Sequence, residues 1–178
     1  MSIELKYYKM YPDVKDLEFA TPGSACFDVR AYFGHSKSHI VKVYNKQNTE
    51  MQYMATKITH TDTANFIILH PGDRALIPTG IILDIPEGYS VRGHPRSGLS
   101  LKQGLTLANC EAVIDWDYTQ QLYILLVNIS DERAKIMHED RIAQLELSKV
   151  LCYNIVASDS APGVKTSRTG GLGSTGVQ

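Results

Sequence analysis

The sequence predicts an all-β domain. Three observations carry that reading. Short segments rich in Val, Ile, Leu and Tyr recur along nearly the whole chain. Pro-Gly, Gly-Tyr, Asn and Asp signals separate them at regular spacing. Helical periodicity is almost missing, apart from one short stretch at Ser97 to Lys102. Many short, evenly punctuated strands belong to a sandwich, a jelly roll or a barrel.

The elements follow in order. Ile3 to Lys9, Cys26 to Ala31 and Ile40 to Tyr44 open the series, each with the β-branched and aromatic content that suits a pleated surface. Gln52 to Thr59, Asn65 to Leu69 and Arg74 to Ile77 come next, the last two split by Pro71-Gly72. Gly80 to Asp84 and Tyr89 to Arg92 flank Pro86-Glu87-Gly88. Pro95 ends a strand, and Ser97 is placed to N-cap the short helix. Leu105 to Asn109 and Gln121 to Ile129 flank a turn around Val113 to Tyr118. Arg141 to Ser148 alternates polar and apolar as a half-buried strand does, and Tyr153 to Val156 closes the series.

These elements divide the chain into a β domain over residues 1–157 and a tail over 158–178. Within the domain, residues 34–65 are polar and read as an inserted surface hairpin or extended loop. The scattered Tyr44, Met51, Tyr53 and Met54 give that insert a sticky patch. The tail is small and polar, rich in Ser, Thr, Gly and Pro. It cannot offset its ordering entropy from a core of its own, so it is either disordered or ordered only over a ligand.

Composition narrows the function classes. The 178 residues carry 18 Lys plus Arg against 19 Asp plus Glu, a net charge of −1. A general nucleic-acid binder would carry a basic surplus, so none is expected as a partner. Arg92, His94 and Arg96 nevertheless cluster, which suits a small anionic ligand. The three cysteines, Cys26, Cys110 and Cys152, are odd in number and none are paired at metal-ligand spacing. They point to free thiols in a reducing, cytoplasmic compartment. The start Met1-Ser2-Ile3-Glu4 lacks a basic region followed by an apolar stretch, so no signal peptide is expected. No apolar run approaches the ~18 residues of a membrane span. His35 and His39 have helical metal-ligand spacing, but Gly34, Ser36 and Ser38 make them solvated loop histidines.

Five short segments carry the chemistry. Asp28 interrupts the apolar run Ser24-Ala25-Cys26-Phe27-Asp28-Val29. In Pro95-Arg96-Ser97-Gly98-Leu99 a helix start exposes unpaired N–H groups beside an arginine, a combination suited to phosphate. Asn109 leads to Val113-Ile114-Asp115-Trp116-Asp117-Tyr118, two carboxylates among aromatics that a plain turn does not require. Arg141-Ile142-Ala143-Gln144-Leu145 follows, and Gly170-Gly171-Leu172-Gly173-Ser174-Thr175-Gly176 ends the set. Those glycines let backbone approach a polyphosphate, although no Lys stands where a Walker loop needs one. Taken singly, each segment also fits a capped turn, an exposed strand face or a flexible tail.

Their order and joint occurrence resemble the trimeric deoxyuridine triphosphatase (dUTPase) family, which carries five such motifs in the same order. The likeness spans nearly the whole chain outside residues 34–65. It implies a distorted jelly-roll β-barrel assembled as a homotrimer, with the tail closing over the active site. It implies hydrolysis of dUTP to dUMP and pyrophosphate, with Mg2+ carried by the triphosphate and no membrane partner. By match, Asp115 would orient the water that attacks the α-phosphorus, an effect typically worth ~10²–10⁴-fold. Tyr118 would exclude a 2′-hydroxyl. Asn109 and the backbone at Val113 and Ile114 would read the uracil edge. Arg96, Ser97, Gly98 and Gln144 would line the phosphates. Arg168, Leu172, Gly173, Ser174 and Thr175 would close over the nucleotide. Asp28 would support the phosphate site without coordinating the metal directly.

The chain departs from the family pattern in places. Leu172 stands where the family has an aromatic, Ser167 takes the position of the tail arginine, and Arg168 follows it. Cys26 and Ala112 replace glycines. Two rival readings share the fold: a dCTP deaminase, which needs a glutamate at the reacting centre, and a nucleotide-sensing module without catalysis.

Overall fold

A computed structural model describes residues 3–34, 40–54, 56–57 and 65–167. Their strands, in chain order, begin with β1 (Lys6–Lys9), β2 (Phe27–Arg30), β3 (Ile40–Tyr44), β4 (Glu50–Met54) and β5 (Thr56–Lys57). Then come β6 (Asn65–Leu69), β7 (Arg74–Pro78), β8 (Ile81–Asp84), β9 (Tyr89–His94) and the helix α1 (Ser97–Gln103). The series ends with β10 (Leu105–Leu107), β11 (Ala112–Ile114), β12 (Tyr123–Asn128), β13 (Ala134–Met137) and β14 (Arg141–Lys149).

All pairings among these strands are antiparallel. A five-stranded sheet runs β10-β12-β7-β3-β4 and a four-stranded sheet runs β11-β9-β14-β2. Smaller sheets, β1-β8 and β13-β6-β5, complete a barrel of jelly-roll type. The alternating faces meet in one core, in which Phe33, Leu69, Ile77, Leu105, Ile124, Leu126 and Leu145 are almost wholly buried. Burial of this kind contributes roughly 1.5–3 kcal/mol per large side chain.

Three differences from the sequence reading concern the strands. The segment Ala112–Ile114 is a strand, β11, and not part of a long turn, because it pairs with β9 while its neighbours β10 and β12 pair with each other. The chain thus leaves one sheet at 108–111 and returns to it after 115–118. Ala134–Met137 is a further strand, held by β6. Tyr153 to Val156 is no strand: beyond the Val150 N–H bond to the Gly88 carbonyl the described chain has no regular element, and Ile155 is 91% exposed.

The insert is a hairpin, but not a purely surface one. β3 adds to β7, and its Val41 and Val43 are fully buried. Only β4 forms the sheet edge on that side. The Gln52 to Thr59 segment divides between β4 and β5, which lie in different sheets. Of the patch residues, Tyr44 is tied to Glu50 through its hydroxyl but stays exposed, and Met51 packs partly on the core. His35 and His39 lie outside the described residues.

At β14 the register shifts between Arg141 and Ala143. Such a bulge lets two successive residues, Ile142 and Ala143, both face the core. It also turns Arg141 and Gln144, three apart, onto the same outer face, opposite Arg30 and Asp28 respectively.

Candidate active site

That outer face of the four-stranded sheet is where the polar motifs converge. Asp28, Gln144 and His94 form one cross-strand row on β2, β14 and β9. The core-facing alternates Phe27, Val29, Leu145 and Val91 hold the row rigid from behind.

Asp28 is the electrostatic centre. Its Oδ1 lies 2.9 Å from Arg96 Nε, and its Oδ2 lies 3.0 Å from Arg141 Nη1. Arg96 also donates from Nη1 to the Arg141 carbonyl at 3.1 Å. One carboxylate therefore orients two guanidinium groups. Both guanidinium groups border a cavity of about 330 Å3 that Ser24, Cys26, Asp28, Ser97, Gly98 and Gln144 also help to line. Two cations against one anion leave the cavity wall positive, the sign that suits a polyphosphate.

The α1 start borders this cavity. Arg96, not Ser97, is the N-cap residue, and no side chain caps the helix. Its carbonyl takes the N–H groups of Leu99 and Ser100 instead. Ser97 is the first helical residue and stays exposed, so its hydroxyl is not spent on the helix. Gly98 has nothing within 4 Å of where a Cβ would stand. Gln144 fixes the approach to the helix by donating from Nε2 to the Pro95 carbonyl at 2.9 Å. The helix ends at Gly104, whose left-handed φ of 62° lets its N–H cap the Ser100 carbonyl.

A second group of motif residues occupies the corner around β11. Cys110, at φ 62°, makes a tight turn in which the Glu111 N–H meets the Asn109 carbonyl at 2.6 Å. β11 is an edge strand, paired on one side only with β9. Ile114 points into the core and Val113 outward. Asp115 follows directly and is exposed, and the Tyr118 N–H closes a turn on its carbonyl at 3.1 Å. Tyr118 is pinned by its hydroxyl, which donates to the Gln121 carbonyl at 2.8 Å. Burial, and then the neighbouring Tyr123, push the Tyr118 phenol up, so it stays a neutral donor.

The structure thus brings Arg96, Ser97, Gly98 and Gln144 to one cavity with Asp28. Asn109, Val113, Ile114, Asp115 and Tyr118 gather at the β11 corner, and none of them lines that cavity. Arg168, Leu172, Gly173, Ser174 and Thr175 lie outside the described residues. Sequence reasoning missed Arg141 as a site residue. It opens a motif already singled out, and its pairing with Asp28 depends on the β14 bulge, which alternation hides.

The class defined here is an antiparallel jelly roll that carries an arginine-walled cavity on one sheet face. A protein-family model described as dUTPase matches residues 60–176. A deoxyuridine 5'-triphosphate nucleotidohydrolase of Finegoldia magna is 43% identical over 142 residues, covering 76% of this chain and 98% of that one. The enzyme of that name from Chlamydia pneumoniae is 44% identical over 111 residues, 62% of this chain and 77% of its own. Among solved structures, a point-mutant dUTPase of Staphylococcus bacteriophage 80alpha with dUpNHpp aligns over 99% of this chain and 100% of its own. Its TM-score is 0.72 at 19% identity. A point-mutant dUTPase from phage phi11 of S. aureus, with a structural Mg(II) ion, gives a TM-score of 0.65 at 16% identity. It aligns over 90% of this chain and 100% of its own. The chain belongs to the dUTPase family.

Proposed function

We propose that this chain hydrolyses dUTP to dUMP and pyrophosphate, as a homotrimer whose active sites are shared between copies. The observation that carries this reading is the pairing of a positive, hydroxyl-bearing cavity with a separate exposed Asp-Tyr corner, in a member of the dUTPase family.

The cavity is the triphosphate side. Arg96 and Arg141, held by Asp28, offer charged donors already in place. Ser97 adds a hydroxyl, and bare Gly98 admits an oxygen close to the backbone. The donors here suit an anion and not a bare cation. The one carboxylate, Asp28, has both oxygens committed to arginines. Mg2+ therefore fits only as an ion carried on the phosphates, where it would neutralise part of their charge.

The corner is the nucleoside and water side. Among the described residues the outer edge of β11 has no strand partner, and its N–H and C=O groups there complement a uracil edge. A base with the reversed pattern would leave them unsatisfied. Tyr118, fixed through Gln121, sets a flat wall against the sugar. Asp115 is solvent-accessible and holds a water chiefly by position, accepting its proton as it attacks the α-phosphorus.

Cavity and corner on one chain do not form one pocket. Beyond β14 an apolar arm runs out, with Leu151 77%, Ile155 91% and Val164 93% exposed. Such an arm has little to bury against on its own chain and suits packing on neighbouring copies. The tail motif beyond it, with Arg168, Leu172, Gly173, Ser174 and Thr175, would close over the nucleotide and exclude water. No helix among the described residues is long and apolar enough to cross a membrane. With three free cysteines, a cytoplasmic setting fits.

The test is pyrophosphate release from dUTP by the purified chain with Mg2+, beside Asp115→Asn and with dCTP as control substrate. The expected result is turnover of dUTP only, lowered ~10²-fold or more in the variant. Equal turnover by both chains, or ammonia release from dCTP, would overturn the assignment.

A further inference from the structure

Cys26, His94 and Glu146 meet on the polar face of the four-stranded sheet, where one ligand-type atom from each lies within 4.8 Å of the others. The sheet register dictates the meeting. Gln144 pairs with Asp28 on one side and His94 on the other, so the next outward residue of β14, Glu146, stands level with Cys26 and Arg92. His94 is its diagonal neighbour, with Nε2 3.3 Å from Glu146 Oε1. None of the three takes part in the hydrolysis described above.

We propose that Cys26, His94 and Glu146 form a binding site for a thiophilic divalent cation of the zinc class. One sulfur, one imidazole nitrogen and one carboxylate oxygen are the donor types that select zinc or cobalt over magnesium. Around a tetrahedral ion such atoms lie about 3.3–3.7 Å apart. The present spacing needs a contraction of about 1 Å to reach that geometry, within reach of side-chain rotation. On the far side of the imidazole, Glu111 Oε1 lies 4.0 Å from Nδ1, near enough to meet it through a small side-chain rotation. A carboxylate in that place orients a ligating histidine.

The surrounding charges balance: Arg92, Arg96 and Arg141 stand against Asp28, Glu111 and Glu146. Asp28 is neutralised by Arg96 and Arg141, and Glu111 by Arg92 at 3.3 Å. Among the described residues no lysine or arginine forms an ion pair with Glu146. Burial first, then Glu146 and Asp28, push the Cys26 thiol up. Three protein ligands leave a fourth position for water, and Cys26 also borders the 330 Å3 cavity.

The experiment uses the full chain carrying C110S and C152S, so that Cys26 is its sole thiol, titrated with Co2+ alone under exclusion of air. The expected result is a saturable sulfur-to-cobalt charge-transfer band, one ion per chain, that Zn2+ displaces and Mg2+ does not. His94→Gln and Glu146→Gln should each weaken the binding at least ~10-fold. Both residues are partly exposed, and each variant decides by itself should the other fail to fold. A chain without the band, or a binding midpoint unchanged in either variant, overturns the site.

Discussion

Gly93 on β9 carries a packing constraint that links stability to the candidate site. A Cβ at this position would stand 3.0 Å from the Ala112 Cβ and 3.0 Å from Leu145 Cδ2. Unstrained carbon atoms sit about 3.5–4.0 Å apart, so Gly93→Ala must open both contacts by a few tenths of an ångström. Neither neighbour yields readily. Leu145 is fully buried, and the Ala112 methyl is fixed to β11, which pairs with β9 at that residue. Overpacking of this size costs about 1–3 kcal/mol. At roughly 2–4 °C per kcal/mol, the thermal midpoint should fall by about 2–12 °C. The displaced strand leads directly into Asp115, so dUTP turnover should fall along with stability. Ala112→Gly removes one of the two contacts and should restore part of both losses, leaving a favourable coupling of about 0.5–3 kcal/mol in the double-mutant cycle. Calorimetry on the four chains reads the cycle directly. A Gly93→Ala chain as stable as the parent, or a zero coupling with Ala112→Gly, would refute the argument. The same contact makes room for the Ala112 methyl: the bare backbone of Gly93 lies across on the partner strand.

Other outcomes follow from single contacts. Asp28→Asn should cost about 1–2 kcal/mol, a partly buried ion-pair value reduced because Arg96 and Arg141 remain 26% and 43% exposed. It should also raise the KM for dUTP more than it lowers kcat, and an unchanged KM would separate the clamp from substrate binding. Asn128 is fully buried. It donates to the Leu69 and Glu132 carbonyls and accepts from the N–H and hydroxyl of Ser130. Asn128→Leu should therefore cost about 2–4 kcal/mol in urea unfolding, and a midpoint left in place would contradict that count of bonds. Tyr118→Ala should let UTP compete with dUTP, and an unaltered sugar preference would move the gate elsewhere.

Much of this is legible from residues, and the exceptions have physical causes. The all-β class and most strands follow from alternation and turn residues, because those signals are local. β11 escapes a sequence reading because it is three residues long and its partner, β9, is set by tertiary pairing. Tyr153 to Val156 has strand composition but no strand partner among the described residues, and composition cannot report a missing neighbour. Ser97 has the residue type of an N-cap, yet the chain enters the helix one residue earlier. The site motifs stand out by their order. Their division into cavity and corner does not, because it depends on which face each strand turns outward. The bulge in β14 is the sharpest case: strict alternation would send Arg141 and Gln144 to opposite faces, and the extra residue brings them together.

The sharing of each site between copies is tested most directly by mixing two inactive chains, Asp115→Asn and Arg96→Ala, and reassembling the trimer from denaturant. If cavity and corner come from different copies, some mixed sites combine an intact cavity with an intact corner. Random assembly of equal amounts then restores about one site in four. If both halves of a site come from one chain, every site retains a lesion and the mixture stays as inactive as its components, which would contradict the account.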